Sequence, residues 1–296
     1  MLNLTESSVV TFDGKVYPEY GHAVVLAGGA GSGKGYIQNV GIPIDAKVLD
    51  VDHLKQLYTK ALKHDTSVRD TAIKKGDKLS YDFKNDADVS ELHGIVDDKG
   101  YSKAQQDAFF NSRNPEKLTN VIFDITGKNP SKLADYGKKL KAMGYTTTFV
   151  WVVCSREKAA LQNLWRSRVV SQKLFHTIHN EVKKSVFTFL NNSSLCNSYD
   201  NAWIIFTSEE GLIDLTDEQK YALRKERAFK LKKTGSGFEI PNKLLQRLYT
   251  ILGPNETNPD NPEVYIDYAD MKSKSGRMPD PRKYDGRYGR FLRGLD

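Results

Sequence analysis

A chain of 296 residues, 39% hydrophobic and 27% charged, can bury a full core and has the composition of an ordinary water-soluble protein. It has no apolar run of about eighteen residues, and its start, MLNLTESSVV, lacks the basic opening and apolar stretch of a secretory leader; this argues against a membrane span and predicts a cytoplasmic protein. The net charge of +7 is uneven: residues 1–219 hold 27 basic and 27 acidic side chains, whereas 220–296 hold 17 and 10. A basic balance confined to one segment points to a polyanionic partner such as nucleic acid, because each Lys or Arg placed on a phosphate releases counterions; a solvated helix and tail is the alternative. Nothing in the sequence calls for an obligate protein partner or a membrane surface.

In chain order, SVVTFDGKVY carries two β-prone runs around Asp13-Gly14, a hairpin signal. Five buried strands are expected at Ala23 to Ala27, Lys47 to Asp52, Asn120 to Thr126, Thr146 to Cys154 and Ala202 to Thr207. Helical patterns separate most of them, so the fold class is α/β, a mainly parallel five-stranded sheet with helices on its faces. Residues 53–119 exceed a simple crossover and read as a helical insertion over the strand ends. An α/β core is expected over 1–210 and a basic extension over 211–296: a basic helix in DEQKYALRKERAFKLKK, an amphipathic helix in KLLQRLYTIL, a Pro/Asn linker, and the tail RKYDGRYGRFLRGLD. In that tail Arg287 and Arg290 alternate with Tyr284, Tyr288 and Phe291, a composition suited to stacking on bases and pairing with phosphates. Cys154 and Cys196 are far apart, lack a CxxC partner and read as buried thiols.

The informative stretch is VVLAGGAGSGKGYIQ. Gly28, Gly33 and Lys34 fit G-x-x-x-x-G-K, after a strand and before a helical pattern. Such a loop wraps phosphate in backbone N–H groups, which requires bare residues, and the span Gly28, Gly29, Ala30, Gly31, Ser32, Gly33, Lys34, Gly35 and Tyr36 is its expected extent, with Lys34 bridging the β- and γ-phosphates. Gly35 stands where a Mg²⁺-reaching hydroxyl is usual. The loop GGAGSGKG resembles that of adenylate-kinase-type nucleoside monophosphate kinases, which also carry glycine after the lysine. The resemblance argues against a GTPase or motor ATPase and shifts metal duty to a carboxylate.

Two acids end the second strand in VLDVD. Period-two geometry places Asp50 and Asp52 on one face, with Asp52 at the carboxyl end, where it could accept a proton from an attacking hydroxyl or else cap the next helix. In NVIFDIT, Asp124 is the candidate for the Mg²⁺ shell, through water, and Thr126 shares its face. Asp50 and Thr126 are the candidate substrate contacts. The segment REKAALQNLWRSRVV supplies Arg156, Arg166 and Arg168; Arg168 falls on the inward face if the helix persists, and Arg166 is its equal if the chain has opened into a lid loop. His176 and His179 lack a completing ligand and read as surface residues of a lid helix.

Together GGAGSGKG, VLDVDHLK, VIFDITG, the helix leading to GYTTTFVWVV, and RSR resemble the zeta-toxin and polynucleotide-kinase-like branch of P-loop kinases over about residues 22–208. The resemblance implies a three-layer α/β/α fold with strand order 2-3-1-4-5, ATP and Mg²⁺ as cofactors, Asp52 as catalytic base, and Arg166 and Arg168 as lid arginines on the γ-phosphate. Its members phosphorylate nucleic-acid ends, nucleotide sugars and, in some bacteriophages, hydroxymethylated pyrimidines in DNA. With the basic extension, a nucleic-acid hydroxyl is the first expectation, including a bacteriophage hydroxymethyluridine DNA kinase. A nucleotide or nucleotide-sugar kinase is the second, favoured if residues 220–296 fold back on the core. An ATP-driven nucleic-acid-binding or assembly protein is the alternative of another class.

Overall fold

A computed structural model describes residues 9–12, 15–18, 21–38, 42, 44–111, 118–166, 169–207 and 227–253. Strands β1 (Val9–Phe12) and β2 (Lys15–Pro18) pair antiparallel with Phe12 opposite Lys15, as the Asp13-Gly14 signal requires. The central sheet contains β3 (His22–Ala27), β4 (Lys47–Asp50), β5 (Val121–Asp124), β6 (Thr146–Val153), β7 (Asn201–Phe206) and β8 (Ala228–Lys230). Its order is β4-β5-β3-β6-β7-β8, parallel throughout except for β8, which runs antiparallel to β7. The five expected strands thus lie in the order 2-3-1-4-5, and a sixth extends the edge.

The central strands are buried on both faces, as parallel strands are. Ala23, Val25 and Ala27 face a core shared with Phe123, Phe149 and Trp151. That side is closed by α6 (Pro130–Ala142), α8 (Gln172–Leu190), the short α9 (Ser193–Cys196) and α10 (Asn242–Leu252), through Leu133, Val186, Phe189, Cys196 and Leu248. Val24 and Leu26 face the other way, onto Ile122, Val150, Val152 and Ile37. Three of the core helices begin on a side-chain cap. Asn129 accepts from the Lys132 N–H just before Pro130, and Ser155 and Ser171 cap α7 (Arg156–Trp165) and α8, each such cap adding about 1 kcal/mol.

The insertion is helical: α2 (Val51–His64), α3 (Thr66–Lys75), α4 (Asp86–Asp98) and α5 (Tyr101–Asn111), around a small core of Tyr58, Leu62, Ala72 and Leu92. Phe109 of α5 ties it to the main core by meeting Phe123 edge-on, 5.4 Å between ring centroids. The extension departs from expectation. Part of the stretch read as a basic helix forms β8 and β9 (Lys232–Thr234), followed by β10 (Gly237–Glu239). The residues alternate: Phe229 and Leu231 pack inward while Lys230 and Lys232 are exposed, a period of two that the open edge of β7 selects. The amphipathic helix expected in KLLQRLYTIL is present as α10.

Candidate nucleotide-binding site

The loop leaves β3 at the carboxyl end of the sheet and enters α1 (Lys34–Tyr36) through Gly33 in the left-handed region, φ 86°. Its small residues are demanded by contact. A Cβ on Gly28 would lie 2.8 Å from the Val152 carbonyl oxygen, on Gly29 2.5 Å from the His179 ring, and on Gly31, at φ 71°, 2.0 Å from the Ala159 carbonyl oxygen. Gly35 is different: nothing lies within 4 Å of its Cβ position, so sterics do not explain why it is glycine.

The loop's carbonyls are held from outside. Gly28 N–H donates to the Thr126 carbonyl at 3.2 Å. Thr207 Oγ1 donates to the Ser32 carbonyl at 2.7 Å, and His179 Nε2 lies 2.8 Å from the Ala30 carbonyl, so the ring is the donor there. Turning the Ala30 and Ser32 carbonyls outward leaves loop N–H groups, other than those of Gly28 and Ser32, which bond the Thr126 and Gly29 carbonyls, for an anion. Burial pushes the His179 imidazole down to about 4; its bond to Ala30 opposes this, while the charges of Arg156, Lys34 and His176 add to it. The ring is neutral at neutral pH. Ser32 Oγ is buried with no hydrogen-bond partner and lies 2.6 Å from the Gly28 Cβ position, inside the curl of the loop.

Lys34 Nζ donates to the Gly28 carbonyl at 2.8 Å and reaches the Gly29 carbonyl at 3.5 Å, arching back over the loop. Asp124 Oδ1 is 3.9 Å away, both side chains being 15% exposed. Asp124 pairs with Leu26 on one side and Asp50 on the other, so two carboxylate-bearing residues end adjacent strands beside the loop. Bare glycines, an inward-facing orphan hydroxyl and an ammonium at the mouth fit a nucleotide polyphosphate. The fit to Mg²⁺ is that of an ion held on few protein ligands: Asp124 and Asp50 are near, and the described residues contain no cluster of three or more His, Cys, Asp or Glu.

No protein-family model matches the chain, and no curated protein sequence does. Among solved structures, AvrRxo1-ORF1:-ORF2 with ATP matches 81% of this chain and 66% of its own, at 14% identity and a TM-score of 0.50. The native AvrRxo1-ORF1:-ORF2 complex matches with a TM-score of 0.49 at 12% identity, over 79% of this chain and 64% of its own. A structure from the PezAT chromosomal toxin–antitoxin system of Streptococcus pneumoniae gives 0.42 at 11%, over 71% and 86%. The likeness is one of fold. This chain spans just under two thirds of the AvrRxo1-ORF1:-ORF2 chains it matches. The α/β fold expected from the P-loop kinase resemblance is present, with its glycine loop after the first parallel strand.

The other sequence-predicted residues fare unevenly. β4 ends at Asp50 because its partner β5 ends at Asp124, so Asp52 lies in the first turn of α2, not on a strand face with Asp50; its side chain lies outside the described residues. Thr126 likewise lies beyond β5, and its carbonyl supports Gly28. Helix α7 stops at Trp165, and Arg166 is extended and exposed. The cause is Asn163, fully buried, whose amide binds both the Val170 carbonyl at 2.8 Å and its N–H at 3.1 Å and draws the chain back. Arg168, Arg287 and Arg290 lie outside the described residues.

His179 is the main correction. Expected on a surface, it is buried under the loop, on the face of α8 that carries Phe175, Val182 and Val186. That spacing of three, four and seven residues was the available signal. Thr207 gave none beyond its place at a strand end. Cys154 and Cys196 are buried free thiols, as expected, and burial raises both.

Proposed function

We propose that the chain is an ATP-dependent kinase that transfers the γ-phosphate to a hydroxyl. The observation that carries this reading is the loop itself: Lys34 arched over Gly28 and Gly29, the Ala30 and Ser32 carbonyls tied back by His179 and Thr207, the Gly28 N–H anchored on the Thr126 carbonyl, and Asp124 3.9 Å from Lys34. When bound, ATP supplies the phosphoryl group and Mg²⁺ screens its charge. Lys34 holds the outer phosphates, and Asp124, with Asp50 beside it, would hold the metal through water. Asp52, at the start of α2 next to these acids, is the base for the acceptor hydroxyl. AvrRxo1-ORF1:-ORF2, crystallised with ATP, supports the nucleotide assignment through shared fold.

For the acceptor, one observation bears on the choice. Residues 227–253 fold back on the core, β8 joining the sheet and Leu244, Leu248 and Leu252 entering its main cluster. This favours a small acceptor, a nucleotide or nucleotide sugar, over the nucleic-acid hydroxyl expected first from the basic extension. Polynucleotide ends and hydroxymethylated pyrimidines in DNA, the first expectation from the sequence, become the second reading, resting on the tail.

Labelled ATP offered with nucleotides, nucleotide sugars, 5′-hydroxyl DNA and RNA, and hydroxymethyluracil DNA tests both levels. Label should appear in a small molecule, Lys34→Ala should abolish it, and Asp52→Asn should lower transfer by about a hundredfold or more while sparing ATP binding. Label in a polynucleotide would reverse the choice of acceptor. Release of phosphate with no labelled acceptor would replace the kinase with an ATPase, and an active Asp52→Asn enzyme would remove that residue as base.

A further inference from the structure

Two of the described arginines have visible structural work. Arg69 donates to the Leu62 and Lys63 carbonyls at the end of α2, and Arg247 lies over the Phe206 ring at 4.4 Å. Arg156 does not fit that pattern. The first residue of α7, it is 7% exposed, and its one hydrogen bond to a described residue goes from Nη2 to Asn180 Oδ1. A guanidinium carries more donors than that bond uses. Among the described residues no carboxylate pairs with it, and burial by itself lowers its pKa.

The groups around Arg156 aggravate the problem. Its charge acts on His179 and on Lys183, both buried, and the Lys34 charge acts on the same His179 ring. Lys183 Nζ donates to the Gly253 carbonyl and lies over Tyr249, so it finds dipoles but no acid there. The carboxylates of the neighbouring turns are engaged elsewhere or point away: Glu181 pairs with Lys128 at 3.5 Å, and Glu157 is exposed. A buried, uncompensated charge is expensive and is kept where a ligand completes it. Asn180 fixes the guanidinium in place, which a solvent-facing arginine would not need.

Position names the ligand. Arg156 bonds Asn180, the residue after His179, whose ring rests against Gly29, and Ala159, one turn along α7 from Arg156, lies against Gly31. Lys34 Nζ sits over Gly28 and Gly29, the end of the loop away from α1, where the outer phosphates of a bound nucleotide lie. We propose that Arg156 is a fixed anion-binding residue that meets the terminal phosphate of the nucleoside triphosphate from the α7 side of the loop. This rests on the phosphate-loop reading above. It differs from the resemblance, which assigns that role to Arg166 and Arg168 beyond the end of α7.

Two readouts separate a ligand role from a structural one. A guanidinium meeting only the terminal phosphate strengthens ATP binding and leaves ADP binding alone, and a buried one with no carboxylate paired to it among the described residues lowers the stability of the free protein. Calorimetric titration of the full chain with Mg-ATP and Mg-ADP, together with melting without nucleotide, compares wild type with Arg156→Met, which keeps the apolar stem. The variant should bind ATP about tenfold more weakly or worse, bind ADP within about twofold of wild type, and melt at the same temperature or higher. Equal losses for ATP and ADP, unchanged ATP affinity, or a variant that melts lower or fails to fold would each overturn the proposal. Arg156→Lys, keeping charge but not the fork, should recover part of the ATP affinity and none of the stability gain; an ATP affinity restored in full together with ADP affinity raised equally would overturn the terminal-phosphate assignment. A wild-type chain that binds neither nucleotide removes the phosphate-loop reading and the Arg156 assignment with it.

Discussion

At the scale of single residues, His179 shows how a side chain acquires its role from what surrounds it. The ring touches Phe175, 4.3 Å between centroids, supports the Ala30 carbonyl and excludes any side chain at position 29. Its pKa, pushed down to about 4 from 6.5, makes a sign-definite prediction. The unfolded chain takes up the proton first, so this stability is fully present above pH 6.5 and is lost as pH falls toward about 4, by about 3 kcal/mol. His179→Gln retains a donor for Ala30 but cannot titrate. Melting curves from pH 7 to pH 4 should fall less steeply for the variant than for wild type; parallel curves would mean that the imidazole already protonates freely in the folded chain. Gly35 makes the opposite point, since the open space around it leaves its identity to chemistry and not to packing.

Among the elements, α10 changes the meaning of the extension. Leu248 is fully buried, Leu244 and Leu252 are nearly so, Tyr249 stacks on Phe187 at 5.9 Å, and Lys183 of α8 caps the helix end at Gly253. A peripheral tail helix would lose little on truncation of one side chain. Here Leu248→Ala should cost about 2–5 kcal/mol in urea unfolding, in a single transition shared with the core. A separate early transition would make residues 227–253 an independent unit. Helix α7 shows the reverse case, in which an apolar face continuing toward Arg168 is cut short at Trp165 by the Asn163 clamp on Val170. Local periodicity carries no trace of a side chain that bonds the backbone seven residues ahead.

Over the whole molecule, the basic excess separates into parts with different fates. Residues 220–253 hold nine basic and two acidic side chains, 254–271 none and five, and 272–296 eight and three. Of the first group, Lys230, Lys232 and Lys233 lie on β8 and β9 and Lys243 and Arg247 on α10, where Lys233 donates to the Asn197 and Tyr199 carbonyls and Arg247 covers Phe206. Those cations are partly spent on the protein itself, so any nucleic-acid affinity should come chiefly from 272–296. Deleting that segment should flatten the salt dependence of DNA binding and leave ATP binding unchanged. A slope that survives the deletion would move the contact to the folded edge.

The α/β class, the five parallel strands, the helical insertion and the glycine loop could be read before any tertiary contact was known, because each is written in short-range patterns: β-branched runs, helical spacing, and a spacing of glycines and lysine that suits a close backbone wrap. Tertiary structure decided where those patterns stop and what they touch. Asp50 closes its strand because β5 ends beside it, the AFKLKK stretch becomes strand because β7 offers an edge, and His179 and Arg156 are buried by helices that close over the loop from far along the chain. Strand ends, edge pairing and burial depend on partners distant in sequence, and the energy that selects them is absent until the chain is folded.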